Sequence, residues 1–166
     1  MLAIAPDRYC QSVLDIDARD LVNSRIRGVL LDLDNTLLAR GAFEVAPEIK
    51  DWVQNLKDCG IKVAIISNTD SERCVRVADD LGLALERNAF KPFVGGFVSI
   101  CAKLGLACSD CVMVGDQSYT DILGAHRAGM HAILVTPLNS ADPLHTRALR
   151  CIDRLAVAMT ALNQKQ

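Results

Sequence analysis

The chain has 166 residues, 51% of them hydrophobic and 23% charged, with a formal net charge of −2. This is the composition of a globular protein large enough to bury a core, and it excludes the strongly basic face of a nucleic-acid binder. No apolar run reaches the roughly 18 residues that span a bilayer, and "MLAIAPDRYC" at the start lacks the basic and apolar regions of a secretory signal.

The first predicted strand is "GVLLDLD" (28–34), an unbroken apolar run that ends on two aspartates, Asp32 and Asp34. "APEIKDWVQNLKDCG" (46–60) then sets Ile49, Trp52, Val53 and Leu56 at helical spacing and stops at Gly60. "IKVAIISN" (61–68) predicts a second buried strand, ending on Ser67 and Asn68. "TDSERCVRVADDLG" (69–82) opens with capping residues and closes on Gly82 as a helix. A short strand and turn fill 83–92 and reach Lys91; a third helix follows over 93–104. "CVMVGD" (111–116) is the next strand, ending on Asp116, and "YTDILGAHRAG" (119–129) the next helix, with Asp121 in its first turn. "HAILVTP" (131–137) is the last strand, and 142–163 predict a terminal helix.

Continuous apolar strands separated by helices predict a doubly wound, Rossmann-like α/β fold, a parallel sheet with helices on both faces. Without a repeat or linker, residues 1–166 read as one domain. Its core covers about 26–137, with the N-terminal segment and the C-terminal helix packed on it. Ligands of such sheets sit beyond the carboxyl ends of the strands. Asp32, Asp34, Ser67, Asn68, Lys91 and Asp116 all fall on that rim, from separate parts of the chain.

Carboxylates gathered on one rim repel one another unless a cation intervenes, and oxygen-only ligation suits Mg²⁺. Thr36, Ser67, Lys91 and backbone amides at helix starts suit phosphate oxygens. A carboxylate beside such a site can form an aspartyl-phosphate. The side chains alone therefore point to Mg²⁺-assisted phosphoryl transfer.

These stretches also resemble a known family. "DLDNT" (32–36) is similar to the DxDxT signature of haloacid dehalogenase (HAD) superfamily phosphatases, "IISNT" (65–69) to their second motif, "KP" (91–92) to the third and "VGDQSYTD" (114–121) to the fourth. With "SVLDID" and "VTPL", the pattern resembles the YqeG-like group of subfamily IIIA, related to mitochondrial phosphatidylglycerophosphate phosphatases. "TRALRCID" departs from that group at Leu149 and Asp153.

The resemblance implies a Mg²⁺-dependent phosphomonoester hydrolase. In it Asp32 is the nucleophile, Asp34 the general acid and then base, and Lys91 the neutraliser of phosphoryl charge. Ser67 and Asn68 contact phosphate oxygens. Asp32, the Asp34 carbonyl, Asp116 and Asp121 hold the metal. Thr36 either touches substrate or pins the loop after the nucleophile.

The stretches after Thr36 and Ser67 are too short for a large cap domain, so the rim should be open. An open rim suits a bulky substrate, including a lipid head group, and the family implies phosphatidylglycerophosphate. Two alternatives stand beside it: a phosphatase for a soluble metabolite or phosphorylated macromolecule, and a receiver-like phospho-Asp signalling domain. Against the receiver, the phosphoacceptor here ends the first strand.

The expected location is cytoplasmic, peripheral to the inner membrane face. Leu37, Leu38, Arg40 and Phe43 of "LLARGAF" would lie beside the site, and Arg147, Arg150 and Arg154 on the terminal helix. The alternative for that helix is docking on the sheet with solvated arginines. Seven scattered cysteines argue for a reducing compartment, and "CSDC" (108–111) lacks a second half-site for zinc. His126, His131 and His145 have no metal-ligand spacing.

Overall fold

Six strands form one sheet in the computed structural model, which describes residues 4–138. They are β1 (Arg8–Cys10), β2 (Gly28–Leu31), β3 (Lys62–Ile66), β4 (Ala84–Glu86), β5 (Cys111–Gly115) and β6 (His131–Val135). All neighbours pair in parallel, in the order β1-β6-β5-β2-β3-β4. The helices are α1 (Ala18–Asn23), α2 (Pro47–Asp58), α3 (Glu72–Leu81), α4 (Val94–Leu104) and α5 (Leu123–Arg127).

Successive strand residues feed opposite faces. Val29 and Leu31 of β2 join one core with Trp52 and Leu56 of α2 and Val77 and Leu81 of α3. Leu30 joins the other, with Phe97 and Ile100 of α4. A strand buried on both faces has no polar side to show, which is why these runs are unbroken in the sequence. From β2 the chain winds outward to β3 and β4, then returns to β5 on the other side of β2. The reversal sits between β2 and β5, and a crevice opens there.

Several local features differ from the sequence-based expectation. β1 is an additional strand: "RYC" shows no apolar alternation and is held as an edge by its pairing with β6. β2 ends at Leu31, earlier than expected. The Asp32 amide still bonds to the Val114 carbonyl at 2.9 Å, but Asn35 then takes φ of 64° and its amide bonds to the Leu38 carbonyl at 2.7 Å, which turns the chain. Leu37 and Leu38 tuck into the core beneath that turn, so they form no apolar surface beside the site; Phe43 alone of that group's apolar residues is exposed. The helix expected over 119–129 begins as a π-helical turn (Ser118–Ile122) before α5.

No helix or strand lies between β2 and α2 or between β3 and α3, so neither of these stretches carries a cap domain. No helix of the described residues is long and apolar enough to cross a membrane. The expected terminal helix over 142–163, with its arginines, lies outside the described residues, as does His145.

Candidate active site

Because β2 and β5 are neighbours, Asp32 and Asp116 emerge side by side from the sheet. Asp121 joins them from the π-helical turn, a device that re-aims side chains at many functional sites. All three are buried, and one carboxylate oxygen of each lies within 4.8 Å of the others. The approach of Asp121 requires Gly115 at the end of β5, since a Cβ there would overlap the Asp121 carboxylate. Asp121 Oδ2 accepts a hydrogen bond from the Gln117 amide at 3.1 Å.

Lys91 faces this group. Its Nζ donates to Asp32 Oδ1 at 2.6 Å and to the Ile66 carbonyl at 3.1 Å, and lies 2.7 Å from Asp121 Oδ1. Asn68 holds the lysine's backbone from both sides: the Lys91 amide donates to Asn68 Oδ1 at 2.6 Å, and Asn68 Nδ2 donates to the Lys91 carbonyl at 3.0 Å. Burial pushes the Asp32 carboxyl up to about 6; Lys91 opposes the shift, while Asp121 and Asp34 add to it. Burial also works against the Lys91 charge, but Asp121 and Asp32 outweigh it and hold the ammonium above the usual lysine range. Three carboxylates are thus buried together, and one ammonium pairs with two of them, Asp32 and Asp121. An all-oxygen donor set with that excess of negative charge fits a hard divalent cation.

Asp34 stands on the cleft wall with Asp32, Arg40, Ser67, Asn68 and Lys91; Thr69, Gln117 and Thr120 complete the lining. Asp34 Oδ1 is paired with Arg73 Nη2, and Arg73 Nη1 donates to the Ala42 carbonyl at 3.2 Å. Ser67 is buried, and its Oγ accepts from the Thr69 amide at 3.2 Å. Behind it sits the Cys74 thiol, 3.2 Å from both Thr69 Oγ1 and Ser71 Oγ. Burial would raise that thiol's pKa, but hydrogen bonds with Ser71, Thr69 and Ser67 outweigh it and lower the value.

Of the residues picked out in the sequence, Asp32, Asp34, Ser67, Asn68 and Lys91 line one cleft, and Asp116 and Asp121 join Asp32 at its base. Thr36 is buried near the turn after β2, and its hydroxyl finds no hydrogen-bond partner among the described residues. His126 and His131 lie away from the cleft, 3.3 and 3.6 Å from Asp7. Cys108 and Cys111 are free thiols, and among the described residues the aspartate triad is the one cluster suited to a metal. Arg73, Gln117 and Thr120 escaped the sequence reading. No spacing rule separates Arg73 from Arg76 on the same helix.

Comparison with known proteins identifies the family. A haloacid dehalogenase-like hydrolase model matches residues 38–129. A Bacillus subtilis protein named "Probable phosphatase YqeG" is 34% identical over 160 residues, covering 96% of this chain and 92% of that protein. The chain belongs to the haloacid dehalogenase-like hydrolase family. The YqeG-like resemblance of the motifs is borne out, and this HAD-family member is a phosphatase. It is also 27% identical, over 83% of its length, to phosphatidylglycerophosphate phosphatase 1 of Arabidopsis thaliana, of which it spans 42%. A solved deoxy-D-mannose-octulosonate 8-phosphate phosphatase from Haemophilus influenzae, in a cobalt-bound form, superposes with a TM-score of 0.54 at 20% identity. The match covers 75% of each chain and shows that the HAD fold is shared.

Proposed function

We propose that this phosphatase hydrolyses phosphomonoesters with Mg²⁺ through an aspartyl-phosphate on Asp32, and that its substrate is phosphatidylglycerophosphate. The observation that carries the chemistry is the set of three buried carboxylates at the carboxyl ends of β2 and β5, two of them paired with Lys91, with Asp34 beside them on the cleft wall.

Asp32, Asp116 and Asp121, with the Asp34 carbonyl, would hold the metal. Bound there, Mg²⁺ supplies charge neutralisation and Lewis acidity toward the phosphoryl oxygens. Lys91 adds the second positive charge and fixes the Asp32 oxygen it touches. Ser67 meets phosphate oxygens, as does Asn68 from its place on the cleft wall while its amide steadies Lys91. Thr36 supports the loop that follows the nucleophile. Asp32 forms a bond to phosphorus as the ester P–O bond breaks, and Asp34 gives its proton to the departing alkoxide. Asp34 then takes a proton from the water that hydrolyses the aspartyl-phosphate, which returns Asp32 and releases phosphate.

The lipid substrate rests on the rim. Phe43, Phe90, Phe93 and Tyr119 are large, apolar and exposed. Phe90 and Phe93 flank Lys91 and Pro92 in the chain, Tyr119 precedes the cleft residue Thr120, and Phe43 follows Ala42, whose carbonyl Arg73 holds. With exposed Arg40 on the cleft and no cap in the stretches after β2 and β3, this rim suits a phosphorylated head group at a membrane face, and we read the enzyme as acting from the cytoplasmic side of that membrane. The test is a panel comparing phosphatidylglycerophosphate in mixed micelles with soluble phosphate esters. The expected result is a higher kcat/KM for the lipid; hydrolysis of the soluble esters alone would overturn the assignment.

A further inference from the structure

We propose, resting on the phosphatase reading above, that Arg73 is a positioning residue: its guanidinium orients the Asp34 carboxylate for proton transfer to the leaving group. Asp34 lies past the end of β2, where the backbone has left the sheet and the following residue has φ of 64°. Its side chain stands on the cleft wall, so neighbouring atoms must restrain it. Arg73 does so, pairing with Oδ1 while its other terminal nitrogen donates to the Ala42 carbonyl. The same guanidinium therefore ties Asp34, the loop after β2 and the start of α3 together. With Oδ1 taken, Oδ2 is the oxygen that carries and delivers the proton. Arginine suits this task because it keeps its own protons throughout the working pH range and so orients its partner without competing as an acid.

Two features set Arg73 apart from an ordinary surface arginine. It occupies the first turn of α3, where a positive charge opposes the helix dipole, so helix stability does not place it there. Its side chain is only 12% exposed, whereas Arg76 on the same helix is 72% exposed and pairs with Glu72 at 3.9 Å.

The test measures kcat/KM for two substrates: p-nitrophenyl phosphate, whose leaving group departs without a proton, and an alkyl phosphate that the wild type turns over in the substrate panel, whose alkoxide needs one. Asp34→Asn should lower the alkyl value by roughly 10²-fold or more and the aryl value far less, because general acid catalysis is worth about 10²–10⁴. Arg73→Met should show the same selective loss at about 10-fold or more, and Arg73→Lys should recover part of it. The ratio of the two substrates on one preparation is independent of the folded fraction. If Asp34→Asn is selective while Arg73→Met lowers both substrates equally or neither, the positioning role is overturned. If Asp34→Asn itself shows no selectivity, the acid assignment fails instead.

Discussion

At the amino ends of the strands, Arg27 and Asp110 meet 3.5 Å apart with 66% and 36% of their side chains exposed, whereas at the carboxyl ends Lys91, 2% exposed, lies 2.6 and 2.7 Å from Asp32 and Asp121. The first pair is bathed in water and contributes little, about 0–1 kcal/mol. The second group has lost its water, and breaking it leaves uncompensated buried charge. The glycines repeat the contrast. A Cβ on Gly28 would press on the Cys111 thiol and Leu106, which are packing atoms, while a Cβ on Gly115 would press on the Asp121 carboxylate. One end of the sheet is built for stability, and the other holds desolvated charge in place for use.

Removing the cation should produce the largest effect on this contrast. EDTA is expected to reduce phosphate release to background and Mg²⁺ to restore it. The metal-free protein should also show the strain in its pH dependence. Asp32 titrates near 6 in the fold against 3.8 as a free group, so it contributes stability below pH 3.8 that is lost as pH rises through 6. Thermal unfolding of the metal-free wild type, compared with Asp32→Asn, should show that decline, and Mg²⁺ should flatten it.

Lys91→Met comes next. It leaves Asp32 and Asp121 without their ammonium, and kcat/KM should fall by about 10²–10³-fold. Denaturant unfolding without metal should show a loss of about 3–5 kcal/mol. The two glycines sharpen the comparison further. Gly115→Ala and Gly28→Ala should each cost about 1–3 kcal/mol from overpacking. Gly115→Ala should also weaken Mg²⁺ binding by about 10–100-fold in calorimetry, while Gly28→Ala leaves it unchanged. The smallest effect belongs to Arg27→Ala, with a stability change within about 1 kcal/mol and an unaltered kcat/KM.

The parts of the fold legible in the sequence are those where burial on both faces leaves unbroken apolar runs. Strands β2, β3, β5 and β6 fall within runs of that kind. Asp32, Ser67 and Asp116 are legible as neighbours on one rim because each directly follows such a run, whereas Lys91 and Asp121 follow none and are marked in the sequence only by the motifs they belong to. β1 was invisible for the opposite reason: three residues at an edge, held by partner hydrogen bonds, carry no pattern of their own. Leu37 and Leu38 illustrate a second limit, since apolar residues in a loop read equally well as surface or core until the turn at Asn35 folds them under the strand. Arg73 and the grip of Asn68 on the Lys91 backbone are pairings across long sequence separations, and such side-chain contacts have no local signature.

The central claim is that Asp32 is the group that takes the phosphoryl. Its most direct test is Mg²⁺-dependent hydrolysis of an aryl phosphate by purified Asp32→Asn, with folding checked by circular dichroism. The variant should give a native spectrum and a rate lower by roughly 10³-fold or more. A folded variant that kept wild-type hydrolysis would contradict the claim.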